Sequence, residues 1–273
     1  MPEGHVSHRN AIRLGGALGG KVLTLVEAPE PRVAAQRIPE RLEGDRVSGA
    51  EAVGKHHLLR FDSGRVLHSH LMMSGVWRLR RAGEPVSRAG LFLALHTDAH
   101  VAALYRCPHV RLLEPGEPLP AAVRRVGPDL LDAAIDPAAA TAAALARTDP
   151  TRQVGDALMD QRIVGGIGNV YKSETCFLAG VDPWRAVGSL SPGEAAALGA
   201  TAARLLAAGV AEGGAIRTWS PPPGARPVRS GGGRTTWVYR RRGLPCRRCG
   251  TPIRSRGQGD DNRTTYWCAT CQT

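Results

Sequence analysis

Four of the six cysteines, Cys246, Cys249, Cys268 and Cys271, form two C-x2-C pairs separated by 18 residues at the C-terminal end of the chain. Each pair can grip a metal from one tight turn, and two such turns offer four thiolates in a tetrahedron. A redox pair would not need the doubled spacing. With all four positions filled by protein, the expected cofactor is one structural Zn2+ per chain with no open position for catalysis. Between the pairs lie Arg254, Arg256 and Arg263, and Tyr266-Trp267 leads into the second pair. This pattern predicts a zinc ribbon, a β-hairpin whose arginines suit phosphate. Cys107 and Cys176 stand alone and read as small core residues. A second chemistry is available at the N-terminus, where Pro2 and Glu3 follow Met1. Removal of Met1 would expose a secondary amine beside a carboxyl. An amine can attack an aldehyde-like sugar carbon, and a neighbouring carboxyl can supply the proton. By themselves these two residues do not single out a reaction.

The 273 residues suffice for two domains or one large one, and 42% hydrophobic with 22% charged residues is ordinary for a folded chain. No apolar run was expected to approach the ~20 residues of a membrane span, and the N-terminus carries no secretory pattern, so the expected setting is the reducing cytosol, close to the nucleoid. The net charge is +12, and residues 217–273, with twelve Arg and two Asp, hold +10 of it. A basic region of this density, interleaved with Trp219, Trp237, Tyr239, Tyr266 and Trp267, reads as a folded polyanion-binding surface.

Elements that could position these groups follow from periodicity. Residues 5–18 place Ala11, Leu14 and Leu18 on one helical face, stopped by Gly19-Gly20. Eight short β-like runs follow, at Lys21–Val26, Arg46–Val53, His57–Phe61, Val66–Leu71, Val76–Arg80, Leu91–Leu95, Val101–Tyr105 and Val110–Leu113, with no helix expected between them. Prolines from Pro115 to Pro128 mark a linker. Asp136-Pro137 starts an alanine-rich helix, and Ser191-Pro192-Gly193-Glu194 is a capping box for a helix to about Ala211. Residues 212–234, rich in Gly and Pro, read as a mobile loop.

Taken in order, Met1-Pro2-Glu3-Gly4-His5, Gly54-Lys55, the stretch Leu158-Met159-Asp160-Gln161-Arg162 running on to Gly168-Asn169-Val170-Tyr171-Lys172-Ser173-Glu174, and Asn262-Arg263-Thr264 within the cysteine hairpin resemble the formamidopyrimidine-DNA glycosylase/endonuclease VIII family. The resemblance spans essentially the whole chain. It implies an α+β multidomain protein. The expected parts are an N-terminal β-sandwich with a leading helix (1–125), a helical domain with a helix-two-turn-helix and flexible loop (126–236), and a zinc ribbon (237–273). It implies a DNA glycosylase with apurinic/apyrimidinic lyase activity, acting on damaged DNA as a monomer without organic cofactor. Pro2 would be the nucleophile on C1′ and Glu3 the proton donor. Lys55, Asn169 and Arg263 would hold phosphates near the lesion. Glu174 would position the N-terminal amine, and Met73 would fill the gap left by the flipped base. Gly165, Gly166 and Gly168 would let the backbone approach phosphate. The competing class, a non-catalytic zinc-ribbon DNA-binding protein, would need the cysteines and basic tail but not Pro2, Glu3 or Lys55.

The resemblance also points to a branch. In the oxidised-purine branch a methionine fills the gap together with an arginine and a phenylalanine from a loop motif that here reads Tyr105-Arg106-Cys107-Pro108-His109-Val110-Arg111. The proline is present, but no phenylalanine or paired arginine follows, unless His109 or Arg111 substitutes. Gly75-Val76-Trp77-Arg78 resembles the endonuclease VIII branch instead. Oxidised pyrimidines and abasic sites are therefore expected to be preferred over 8-oxoguanine, an oxidised-purine enzyme being the alternative.

Overall fold

The apolar stripe of residues 4–18 forms helix α1 (Gly4–Leu18), with Ala11, Leu14 and Leu18 buried. Gly19 ends it by donating its N–H to Gly15 O at 2.9 Å, and Gly20 follows with φ +72°. The computed structural model describes residues 2–224 and 233–273. The chain divides into two compact units, Met1–Arg124 and Arg125–Thr273.

The first unit pairs eight strands in two antiparallel sheets. These are β1 (Leu25–Glu27), β2 (Val47–Val53), β3 (His56–Phe61), β4 (Val66–His70), β5 (Val76–Arg81), β6 (Leu91–His96), β7 (His100–Tyr105) and β8 (His109–Leu113). One sheet has the order β1-β6-β7-β5, the other β2-β3-β4-β8. Their inner faces share a core with α1, built from Leu14, Leu18, Leu59, Leu67, Leu93 and Leu104. Trp77 Nε1 on β5 donates to Ser69 Oγ on β4, joining the two sheets through a buried hydrogen bond. This is the sandwich with a leading helix that the strand pattern predicted.

Two expectations need correction. The segment read as a strand at Lys21–Val26 splits between the sheets. Residues 20–23 bond to residues 44–47, while Thr24 N donates to His96 O and β1 pairs with β6. The chain there crosses a corner of the sandwich. Helices also interrupt the strands: α2 (Pro31–Ala34) and α3 (Ile38–Leu42) lie between β1 and β2. Glu30 caps α2 by accepting from Val33 N at 3.0 Å, and Ile38 and Leu42 pack one turn apart in the core. The same segment supplies Gln36, whose amide accepts from Leu112 N and donates to Val110 O, covering part of the free edge of β8.

After the short α4 (Ala121–Arg124), the second unit contains α5 (Pro137–Ala146), α6 (Val154–Ala157), α7 (Asn169–Ala179) and α8 (Pro192–Ala211), then the hairpin β9 (Arg254–Gln258) and β10 (Arg263–Trp267). Asp136 caps α5 and the Ser191–Glu194 box caps α8, as the sequence indicated. With 20 residues, α8 is long and apolar enough to cross a membrane by length and composition, which the sequence reading had not found. Its Leu198, Ala202, Leu205 and Leu206 form the core of this unit with Leu145, Leu158 and Tyr171. Residues 225–232 of the expected mobile loop lie outside the described residues.

The α5–α8 contact depends on Gly199, where an added Cβ would overlap Pro137 O and the Thr141 side chain. Gly199→Val is expected to destabilise the second unit by about 1–3 kcal/mol through overpacking. Thermal unfolding unchanged from the parent chain would contradict this.

Candidate functional site

Pro2 and Glu3 stand immediately before α1, with Glu3 at its N-cap position. Glu3 is fully buried and Pro2 partly so. The Glu3 carbonyl accepts from Val6 N at 2.9 Å, so the first helical turn fixes the backbone that carries both residues. A carboxyl held away from water at a helix N-terminus suits a group that must exchange protons in a confined site.

Lys55 occupies the second position of the two-residue turn joining β2 to β3. Gly54, at the first position, has φ +58°, which a glycine adopts without cost. Its ammonium acts on His70, the last residue of β4. His56, His70 and His109 are register partners across β3, β4 and β8, so three imidazoles form a row over one sheet face. His56 Nδ1 and His68 Nε2 lie 2.9 Å apart, within hydrogen-bond distance. Burial, with neighbouring imidazoles and for His70 the Lys55 charge, lowers His56 to about 3 and His68 and His70 to about 4. Arg111 adds to the effect on His68. On the opposite face, burial lowers His57 to about 3. His56, His68 and His70 are therefore uncharged at neutral pH.

The chain then turns at residues 71–75. Met72 and Met73 are 44% and 58% exposed, against the core placement common for methionine, and Met72 takes φ +50°. A non-glycine residue in that region marks a constrained turn. Met72 N donates to His70 Nδ1, Ser74 Oγ donates to Arg106 O, and Cys107 Sγ donates to His70 O. This turn is thereby joined to the β7–β8 turn. Arg111 lies on β8 in an ion pair with Glu117, whereas His109 is exposed at the strand's start.

In the second unit the Asp-Gln-Arg stretch builds the turn before α7. Asp160 accepts from Arg152 and Arg162, which hold its carboxyl well below the usual range against the cost of burial. The Gln161 amide donates to Met159 O and Ile167 O and accepts from Gly166 N, closing the turn on itself. Asn169 opens α7, with Gly168 as the N-cap. Its Nδ2 donates to Thr264 O on β10 at 2.9 Å, and its Oδ1 is buried with no hydrogen-bond partner. Arg263, one residue before Thr264, makes no hydrogen bond through Nε and lies 3.6 Å from Asp261 Oδ2. Asn169 and Arg263 are thus brought to adjoining backbone on one hairpin.

The four cysteine sulfurs lie within 4.8 Å of one another. A tetrahedral zinc with bonds of about 2.3 Å requires sulfurs about 3.8 Å apart. Cys246–Cys271 at 3.9 Å and Cys249–Cys268 at 3.5 Å match that spacing. All four ligands are thiolates, so the site closes around one structural zinc.

The N-terminal domain of formamidopyrimidine-DNA glycosylase matches residues 1–108, its H2TH domain residues 126–220, and the zinc finger found in FPG and IleRS residues 243–273. "Probable endonuclease 8 2" of Streptomyces coelicolor is 41% identical over 100% of this chain and 94% of its own length. The chain belongs to the formamidopyrimidine-DNA glycosylase/endonuclease VIII family. The "DNA-(apurinic or apyrimidinic site) lyase Nei2" of Mycolicibacterium smegmatis is 35% identical over 100% of this chain and 99% of its own. The crystal structure of the MutM (Fpg) protein from Thermus thermophilus is similar with a TM-score of 0.77 and 30% identity, covering 99% of this chain and 98% of that one.

The buried carboxylate of Glu174 accepts from Thr218 Oγ1 and from the backbone N–H groups of Trp237, Val238 and Tyr239, donors of its own unit. Burial raises its pKa, and the four donors oppose that shift. Glu174 therefore anchors the entry to the zinc ribbon on α7. From the zinc side, Arg247 Nε donates to Thr236 O, and its guanidinium stacks on Trp219. Sequence reasoning missed His70, Met72 and Arg247, since only strand register, backbone angles and tertiary contacts single them out.

Two outcomes are expected. Glu174→Ala leaves three buried amides without acceptors and should destabilise the second unit by about 3 kcal/mol or more, readable in urea unfolding. For the histidines, folded values lie below the unfolded value of about 6.5, so the unfolded chain binds more protons between about pH 6.5 and 4. Their contribution is intact above that window and is lost as pH falls through it. The urea midpoint of the first unit should drop between about pH 7.5 and 5, and His68→Gln should shrink the drop; a pH-independent midpoint would contradict the neutrality of His56, His68 and His70.

Proposed function

We propose that the chain is a bifunctional DNA glycosylase and apurinic/apyrimidinic lyase of base excision repair. It removes oxidised bases, pyrimidines before purines, working as a monomer without organic cofactor in the cytoplasm. The observation that carries this reading is the N-terminal Pro2 beside a fully buried Glu3 at the head of α1. The target base leaves the stack, because its sugar carbon is unreachable inside a duplex. The Pro2 nitrogen attacks C1′, the glycosidic bond breaks, and the base departs with a proton. Glu3 protonates the ring oxygen as the C1′–O4′ bond opens, leaving an iminium. Loss of a C2′ proton expels the 3′ phosphate, and a second elimination expels the 5′ phosphate. A free α-amine has a pKa of about 8, so attack draws on the neutral fraction.

Lys55, Asn169 and Arg263 hold the phosphates of the lesion strand. The unpartnered Arg263 Nε–H, a donor, supports that assignment, as does the second Nδ2–H of Asn169 beside the one given to Thr264 O. Met73, with Met72 beside it, enters the space of the flipped base. Arg111 is engaged by Glu117, and no phenylalanine or paired arginine follows Pro108, which favours pyrimidine lesions. The zinc folds the hairpin that carries Arg263 and takes no part in bond breaking.

Strand cleavage on a panel of defined lesions tests this reading. Thymine glycol and a plain abasic site should be cut faster than 8-oxoguanine opposite cytosine, and Pro2→Ala should remove cleavage of all three. Full cleavage by Pro2→Ala would defeat the lyase; faster 8-oxoguanine release would overturn the pyrimidine preference. Cys268→Ser should abolish zinc and DNA binding while the first unit stays folded, as seen by mobility shift and metal analysis.

A further inference from the structure

Gln258 ends β9 and is buried, although glutamine is usually exposed and the hairpin has little interior. Its Nε2 donates to Gln153 Oε1 at 3.0 Å and to Pro183 O at 2.8 Å. Its Oε1 accepts from Thr265 Oγ1 at 2.7 Å. One side chain therefore joins the hairpin to the segment preceding α6 and to the loop after α7. Three glycines make room for this seat. A Cβ on Gly155 would overlap the Gln258 amide, one on Gly259 would overlap Asp156, and one on Gly257 would overlap Asn262. Asn262 itself sits at φ +50° in the turn.

Gln258 is also the register partner of Arg263. The opposite strand is held separately: Asn169 Nδ2 binds Thr264 O, and Tyr266 N donates to Ser173 Oγ on α7. The hairpin end that carries Arg263 is thus pinned on β10 by α7 and on β9 by Gln258. The four cysteines lie at the other end, beyond Trp267 and before Arg254, so a zinc they hold would not by itself fix where Arg263 points.

We infer that Gln258 is a positioning residue for DNA: it locks the hairpin end so that Arg263 and Asn169 meet one phosphate segment together. The inference rests on the reading that Arg263 binds phosphate. Gln258 touches no substrate and acts through its register partner. Removing its amide should leave zinc bound and fold intact while Arg263 loses its aim.

The test measures DNA affinity by fluorescence anisotropy over a salt series, on a duplex with an abasic-site analogue, after metal analysis has shown one zinc per chain. Arg263→Ala should lower the salt slope by about one phosphate contact. Gln258→Met, similar in size but without the amide, should weaken binding about tenfold and lower the slope by a similar amount. In the Arg263→Ala background, Gln258→Met should add nothing. Gly155→Ala, which displaces the amide from the other side, should reproduce the effect and replaces Gln258→Met should that variant lose its zinc. An unchanged slope in Arg263→Ala would remove the phosphate reading beneath the inference. A reduced slope there, with an unchanged slope in zinc-loaded Gln258→Met and Gly155→Ala, would overturn the inference alone, as would additive losses in the double variant.

Discussion

A two-stranded ribbon of ten paired residues buries too little apolar surface to fold by itself. The ribbon β9–β10 nevertheless carries Arg263, and the second unit is arranged around keeping it ordered. Four thiolates close one end. Phe177, Val238, Ile253 and Cys268 provide a small core beneath it. The Glu174 carboxylate gathers three consecutive backbone amides at its entrance, and the Gln258 amide pins its far end. Each of these is a polar or metal interaction supplying order that a larger domain would take from hydrophobic burial.

The first unit solves a different problem, bringing an amine and a carboxyl to a confined position while presenting cationic and apolar groups at a sheet end. The sandwich core is apolar and continuous with α1, so the helix that carries Pro2 and Glu3 is rigid. Lys55, Met72 and Met73 lie on turns at one end of the strands, beside His70 at the end of β4, and Ser74 and Cys107 tie that end to the β7–β8 turn. His56 and His70 stay neutral through burial, and Lys55 brings a cationic charge to that turn.

What was legible in the sequence follows from how local each signal is. The cysteine spacing states its own chemistry, and both helix caps need only four consecutive residues. The strands of the sandwich alternate or run apolar within single segments, so periodicity found them. The helices α2 and α3, of four and five residues, are too short to show a period, and the corner at residues 20–27 hides its change of partner. The donors that gather on Glu174 lie 44 to 65 residues away and leave no local mark in the sequence. Gln258 was invisible for the same reason, its partner Gln153 being 105 residues distant. The histidine row needs a register that no single strand reveals. Asn169 and Arg263 stand out in the sequence only through the motif around them, and the structure adds a hydrogen bond from Asn169 to Thr264, next to Arg263.

The central claim is that the chain cuts DNA through a covalent bond from its N-terminal proline. Borohydride reduction in the presence of abasic-site DNA, followed by mass spectrometry of the peptide that carries the adduct, measures it most directly. The account predicts a stable one-to-one adduct on the N-terminal peptide, bonded to Pro2 in chains that have lost Met1, and none in chains that retain it. Cleavage without a trapped adduct, or an adduct mapped to Lys55 or Lys172, would contradict it.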